Sequence, residues 1–149
     1  MSDLLQPWHV LLLLFVACVL LLPALFYIFA LQKVLNKCAA ESRTIEPSKI
    51  WFYLIPIFNV VFHFFIVLNL TKSLSNELRR RGVRMMDAKP GQTIGLTMCI
   101  CGVFKLIPYV NVVAYVAYFI PWIAYWIQIE KYSRVLDQPP QIAMSASNP

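Results

Sequence analysis

The chain has 149 residues, 60% of them hydrophobic and only 13% charged, with a formal charge of +6. Ordinary soluble domains carry about 45–50% apolar and about 25% charged residues. This composition excludes disorder, a nucleic-acid-binding tail protein and a disulfide-stapled secreted scaffold, and it points to an integral membrane protein of one domain.

Residues 10–31 carry no charge and match the roughly 20 apolar residues that a spanning helix needs. Trp8 and Tyr27 stand near the two ends, as interfacial aromatics do. The run does not read as a signal peptide, because no basic residue precedes it and no small-residue cleavage site follows. A second uncharged run covers 50–70 and opens with Trp51 and Tyr53. Beyond it Leu70, Leu74 and Leu78 recur at i,i+4, predicting that the helix continues to Arg81 and stops at Gly82. Read as one helix, 93–129 would be about 55 Å long, against a hydrocarbon core of about 30 Å. Pro108 and Asn111 therefore divide it into a short third span, 92–107, and a fourth, 110–129. Lys105 closes the third span, and its ammonium can snorkel to the interface; a re-entrant or tilted third segment is the alternative. Pro23 and Pro121 fall mid-helix and predict kinks. Residues 1–136 then form a four-helix transmembrane domain, and 137–149, with Pro139-Pro140 and a Ser-rich end, a flexible tail.

A repeat organises these spans. Residues 52–61 (FYLIPIFNVV) and 104–113 (FKLIPYVNVV) share F-x-L-I-P-x-x-N-V-V. Proline suits the first turn of a helix, where its missing N–H has no partner to lose. The predicted fold class is thus all-α integral membrane, with four transmembrane helices arranged as two pseudo-repeated parallel hairpins rather than an inverted repeat. Four spans put both termini and the 71–92 loop on one side. That side carries eight basic residues, against five (Lys33, Lys37, Arg43, Lys49 and Lys105) on the other. The excess predicts cytoplasmic termini.

Three stretches carry a family resemblance: PSKIWFYLIPIFN at 47–59, SLSNELR at 73–79 and YWIQIEKY at 125–132. They resemble an uncharacterised family of small four-span bacterial membrane proteins, a domain of unknown function, over most of 31–136. The resemblance implies a helical bundle in the bacterial inner membrane. It implies no activity, cofactor or catalytic residue.

Within the second span Asn59 and His63 are i,i+4. An intramembrane ionisable residue marks a functional site by default, and a neutral imidazole can ligate haem, a pigment or a metal. The alternative is hydrogen bonding across a helix contact. Asn111, Tyr115, Tyr118, Trp122, Tyr125, Ile129 and Tyr132 form a heptad seam on the fourth span, read as packing or as a groove for a lipid tail or pigment ring. Gly91, Gly95, Cys99 and Gly102 make a small-residue face that allows close helix approach. Cys99 and Cys101 lack companions at metal-ligand spacing, so no metal site is expected. Arg79, Arg80, Arg81 and Arg84 are candidates for anionic lipid.

No nucleophile–base set, intramembrane carboxylate pair or phosphate loop is present in the sequence. The expectation is a non-enzymatic accessory or scaffolding subunit without cofactor, working through helix contacts with itself or a larger membrane complex and not with nucleic acid. Its rivals are an oligomeric channel or transporter lined by Asn59, His63, Asn111 and Tyr115, and a haem- or pigment-binding subunit using His63.

Overall fold

A computed structural model describes residues 6–83, 89–107, 109 and 111–140. The described residues are helical, with α1 at Pro7–Lys37, α2 at Pro56–Arg80, α3 at Gln92–Phe104 and α4 at Asn111–Val135. Two 3₁₀ segments, Ala40–Ser42 and Pro47–Leu54, lie between α1 and α2. Two helices, Pro7–Lys37 and Phe58–Arg80, are long and apolar enough to cross a membrane by length and composition.

Local sequence explains the boundaries. Pro7 and Pro56 each sit in the first turn of their helix, where the fixed φ helps and the lost N–H costs nothing. The residue before a proline is pushed out of the helical region, and Ile55 is extended, with ψ 112°. The expected continuous helix over 50–70 is therefore broken at Pro56: a 3₁₀ arm enters the corner and α2 leaves it. At its far end α2 closes as the Leu pattern predicts. Gly82 adopts φ 71°, its N–H bonds to the Arg79 carbonyl, and the Val83 N–H bonds to the Leu78 carbonyl, the paired bonds of a Schellman cap. A Cβ in this left-handed position costs about 1–2 kcal/mol. Gly82→Ala is expected to lower stability by about that amount, read as a lower thermal midpoint in detergent.

The helix directions follow from contacts. Tyr27 of α1 meets His63 of α2, and the Lys37 carbonyl meets Arg81. Numbers rise together on both helices, so α1 and α2 run parallel. Lys33 with Glu130 and Lys37 with Ser133 show that α1 also runs parallel to α4. Val67 and Tyr125 flank Gly95, while Tyr118 flanks Gly102, so α3 runs antiparallel to both α2 and α4. Residues 38–55 are the return path. Ala39 bonds to Glu77, Thr44 to Ser73 and Asn69, and Tyr53 meets His63 edge-on, stepping backwards along α2.

This arrangement corrects three expectations. The first hairpin is formed not by α1 and α2 but by the 47–54 arm and α2; α3 and α4 form the second. Residues 7 and 135 lie at opposite ends of the bundle, not at the same end as four antiparallel spans require. Lys33, Lys37 and Arg43, assigned from the sequence to the side opposite Arg79–Arg81, stand at the same end as them, because α1 ends where α2 ends. The third helix also stops three residues early, at Phe104. Thirteen residues give it about 20 Å of length, short of a bilayer core.

The core is built where the helices overlap: Ile28, Leu31 and Leu35 of α1, Ile66, Leu70 and Leu74 of α2, Met98 of α3, and Tyr125 and Ile129 of α4 are buried. Beyond Tyr27, α1 outruns its neighbours. Pro7 lies about 30 Å along the axis from Tyr27, while Pro56 lies about 10 Å from His63, so α1 overhangs α2 by about 20 Å. Leu11, Leu13 and Phe15 on this overhang are 66%, 68% and 67% exposed.

Candidate functional site

Aromatic side chains from α1, α4 and the 47–54 arm converge around His63 of α2. The Tyr27 hydroxyl lies 3.1 Å from His63 Nε2. The Tyr53 ring meets the imidazole edge-on at 4.9 Å between centroids, and the Tyr53 hydroxyl lies 3.4 Å from that of Tyr118. Asn59 stands one turn before His63 on the same helix face. Tyr27 is itself ringed by Tyr53, Trp122, Tyr125 and Trp126 at 5.6–6.4 Å. Tilted and edge-on pairs of this kind add stability beyond burial alone, about 0.5–1.5 kcal/mol each.

A cavity of about 40 Å³ opens beside His63, lined by Asn59, Cys99, Gly102, Lys105 and Tyr118. It has room for water, which occupies about 30 Å³ in the liquid, and none for a macrocycle. Lys105 Nζ sits 3.4 Å over the Tyr118 ring, a cation–π contact that holds the ammonium at the helix end. Asn59, His63 and Tyr118 are therefore brought together. Tyr115 is exposed and outside this cavity, with its ring 5.4 Å from Lys105 Nζ. The Asn111 side chain lies outside the described residues. His9, the other histidine, stands at the far end of the overhang, and no group of three or more potential metal ligands occurs among the described residues.

The heptad seam on α4 is occupied by packing from Tyr118 to Ile129. Tyr118, Trp122, Tyr125 and Ile129 are buried, with Tyr125 against Gly91 and Gly95 and Tyr118 against Gly102. At Gly95 a Cβ would fall 2.5 Å from Val67 Cγ1 and 2.9 Å from Tyr125 Cε2. Gly91 takes φ 76° as the N-cap of α3, a conformation that favours glycine.

The second cluster ties the helix ends together, and sequence reading missed its centre. The Glu77 side chain is fully buried. It accepts hydrogen bonds from the Ala39 N–H, Arg80 and Arg81. Burial alone would raise its pKa; the donors from Arg80, Arg81 and Ala39 outweigh that effect and hold the carboxyl well below the usual range. Arg81 continues outward, donating to the carbonyls of Leu136, Gln138 and Lys37. One carboxylate and one guanidinium thus join the C-terminal ends of α1, α2 and α4, where cations also suit the helix dipoles. Arg80 and Arg81 are committed to this network, Arg79 is exposed with no ion-pair partner among the described residues, and Arg84 lies outside them. The sequence signal was a single acid three and four residues before two arginines on a helix.

No family model matches the chain, and neither a curated protein nor a solved structure matches it.

Proposed function

We propose that the chain is a small integral membrane scaffolding or accessory subunit, a bundle of four apolar helices that works through contacts with other membrane helices. The observation that carries this reading is the overhang of α1. About 20 Å of helix beyond the start of α2 presents Leu11, Leu13 and Phe15, which no other described residue covers. Contiguous exposed apolar surface of this extent marks a membrane or protein contact. The apolar exteriors of α3 and α4, including Ile100, Val103, Ile120 and Ile127, are exposed as well. The network at the opposite end fixes α1 to α2 and α4, so the overhang projects from a helix that is tied into the bundle. The resemblance to small four-span bacterial membrane proteins supports this reading, and on it the membrane would be the bacterial inner membrane. The basic end, with Lys33, Lys37, Arg43 and Arg79–Arg81, then faces the cytoplasm by the positive-inside rule.

Photo-crosslinking amino acids at positions 11 through 16 in native membranes test the proposal. The expected result is discrete protein adducts concentrated on one stripe of α1, to a second copy or to one larger partner. Lipid adducts alone, spread evenly around the helix, would reduce α1 to an anchor and contradict a scaffolding role.

A further inference from the structure

A cavity of about 350 Å³ lies between the second half of α2 and the start of α3. Lys72, Arg79 and Lys89 line it together with Thr71, Asn76 and Gln92. No carboxylate occurs among the described lining residues, and none of the three cations has an ion-pair partner among the described residues. Arg80 and Arg81, next in sequence to Arg79, are by contrast held by Glu77.

Two further observations point to a ligand. Thr71 lines the cavity and is only 4% exposed, and its hydroxyl, closed to solvent in this rotamer, has no hydrogen-bond partner among the described residues, so a χ1 rotation would bring it to a bound group. A helical threonine has the carbonyl one turn back as its ready acceptor, and Thr97 of α3 uses it, donating to the Thr93 carbonyl at 2.9 Å. In addition α3 begins at this wall. Gly91 at its N-cap has no side chain to cap it; the Gln92 N–H is taken by the Lys89 carbonyl, and the positive dipole end of the remaining first turn is available to an anion.

We infer that this cavity binds a phosphate group, carried in the first instance on the headgroup of an anionic lipid. The three cations and the helix end match a group with two or more anionic oxygens, and the volume leaves space for the glycerol beside it. Leu68, one turn before the cationic part of the stripe, is exposed at the rim and leads back along α2 into its apolar half. Headgroup and acyl chain would so lie along one helix face. The lipid identity rests on the membrane reading above; the phosphate site does not.

The test uses the full chain in detergent, titrated separately with short-chain phosphatidic acid and with inorganic phosphate. The Lys72→Gln/Arg79→Gln/Lys89→Gln variant is expected to weaken phosphatidic acid binding by at least about tenfold, since each basic residue near an anionic lipid contributes on the order of fivefold. Lys131→Gln/Arg134→Gln, which removes two exposed cations of α4 at the same end, should change it by no more than about twofold. Thr71→Val preserves shape and should weaken binding while leaving the thermal midpoint in place. Saturable binding of phosphate as tight as that of the lipid would assign the site to a soluble phosphate compound; lipid binding alone assigns it to a headgroup. Equal losses in the two charge variants, or no saturation by either probe below about 1 mM, would overturn the site. Carbonate extraction of the chain from membranes, with phosphate still bound by the pure protein, would end the membrane reading and leave the phosphate site standing.

Discussion

Gly95→Ala is expected to destabilise the bundle by about 1–3 kcal/mol, the usual cost of overpacking a well-filled core, and Gly95→Leu to leave little folded protein. The added Cβ would lie 2.5 Å from Val67 Cγ1 and 2.9 Å from Tyr125 Cε2. Neither neighbour gives way easily. Val67 is β-branched and restricted to one main rotamer in a helix, and Tyr125 is wholly buried between α1 and α3. Gly102→Ala supplies the contrast within the same helix. Its Cβ would meet Tyr118 at 3.6 Å, an ordinary contact, and alanine gains up to about 1 kcal/mol of helix propensity over glycine. Thermal midpoints in detergent should fall for Gly95→Ala and hold or rise for Gly102→Ala. Equal effects at the two positions would mean that α3 is not wedged between α2 and α4 at Gly95.

Glu77→Gln is expected to cost about 3 kcal/mol, the low end for breaking a buried ion pair, because Arg80 is half-exposed and keeps its water. The substitution leaves Arg81 without its anion at the point where α1, α2 and α4 converge. The same carboxyl predicts a pH dependence. Its folded-state pKa lies below the ordinary value of 4.5, so the stability it contributes is complete above that value and is lost as pH falls through the lower, folded-state pKa. The thermal midpoint of the wild-type chain should therefore drop on acidification below about pH 5, and that of Glu77→Gln should drop less. A variant that matches the wild type at neutral pH would show that Glu77 does not hold the helix ends.

What was legible in the sequence is what a single helix reports about itself. The glycine spacing in α3, the aromatic seam on α4 and the Leu70–Leu74–Leu78 stripe each mark one face, and each face is buried where the helices overlap. Gly82 announces the end of α2 because few other residues accept its backbone. The direction of α1 was not legible. Residues 38–55 read as a loop followed by the start of a span. Their backbone groups are satisfied by side chains of α2, notably Ser73 and Glu77, and such pairing leaves no periodic trace. The repeat did mark Pro56 as a corner, and the extended Ile55 before it is the reason; the matching Pro108 lies outside the described residues. What the repeat could not reveal is that its first arm is the 3₁₀ segment 47–54 rather than α1. The basic residues between α1 and α2 hinted at this. On a hairpin reading they split the positive charge between two sides, whereas parallel packing gathers Lys33, Lys37 and Arg43 with Arg79–Arg81 at one end.

The parallel course of α1 and α2 is tested most directly by the sidedness of residue 41. In a chain with its four native cysteines replaced, single cysteines at Glu41 and Gln138, both exposed, are labelled with a membrane-impermeant maleimide in sealed vesicles and again after lysis. Labelling of both from the same face, with a cysteine at Gln6 reached only from the other, is the predicted result. Reaction of Glu41→Cys and Gln138→Cys from opposite faces would restore the simple α1–α2 hairpin and contradict the architecture described above.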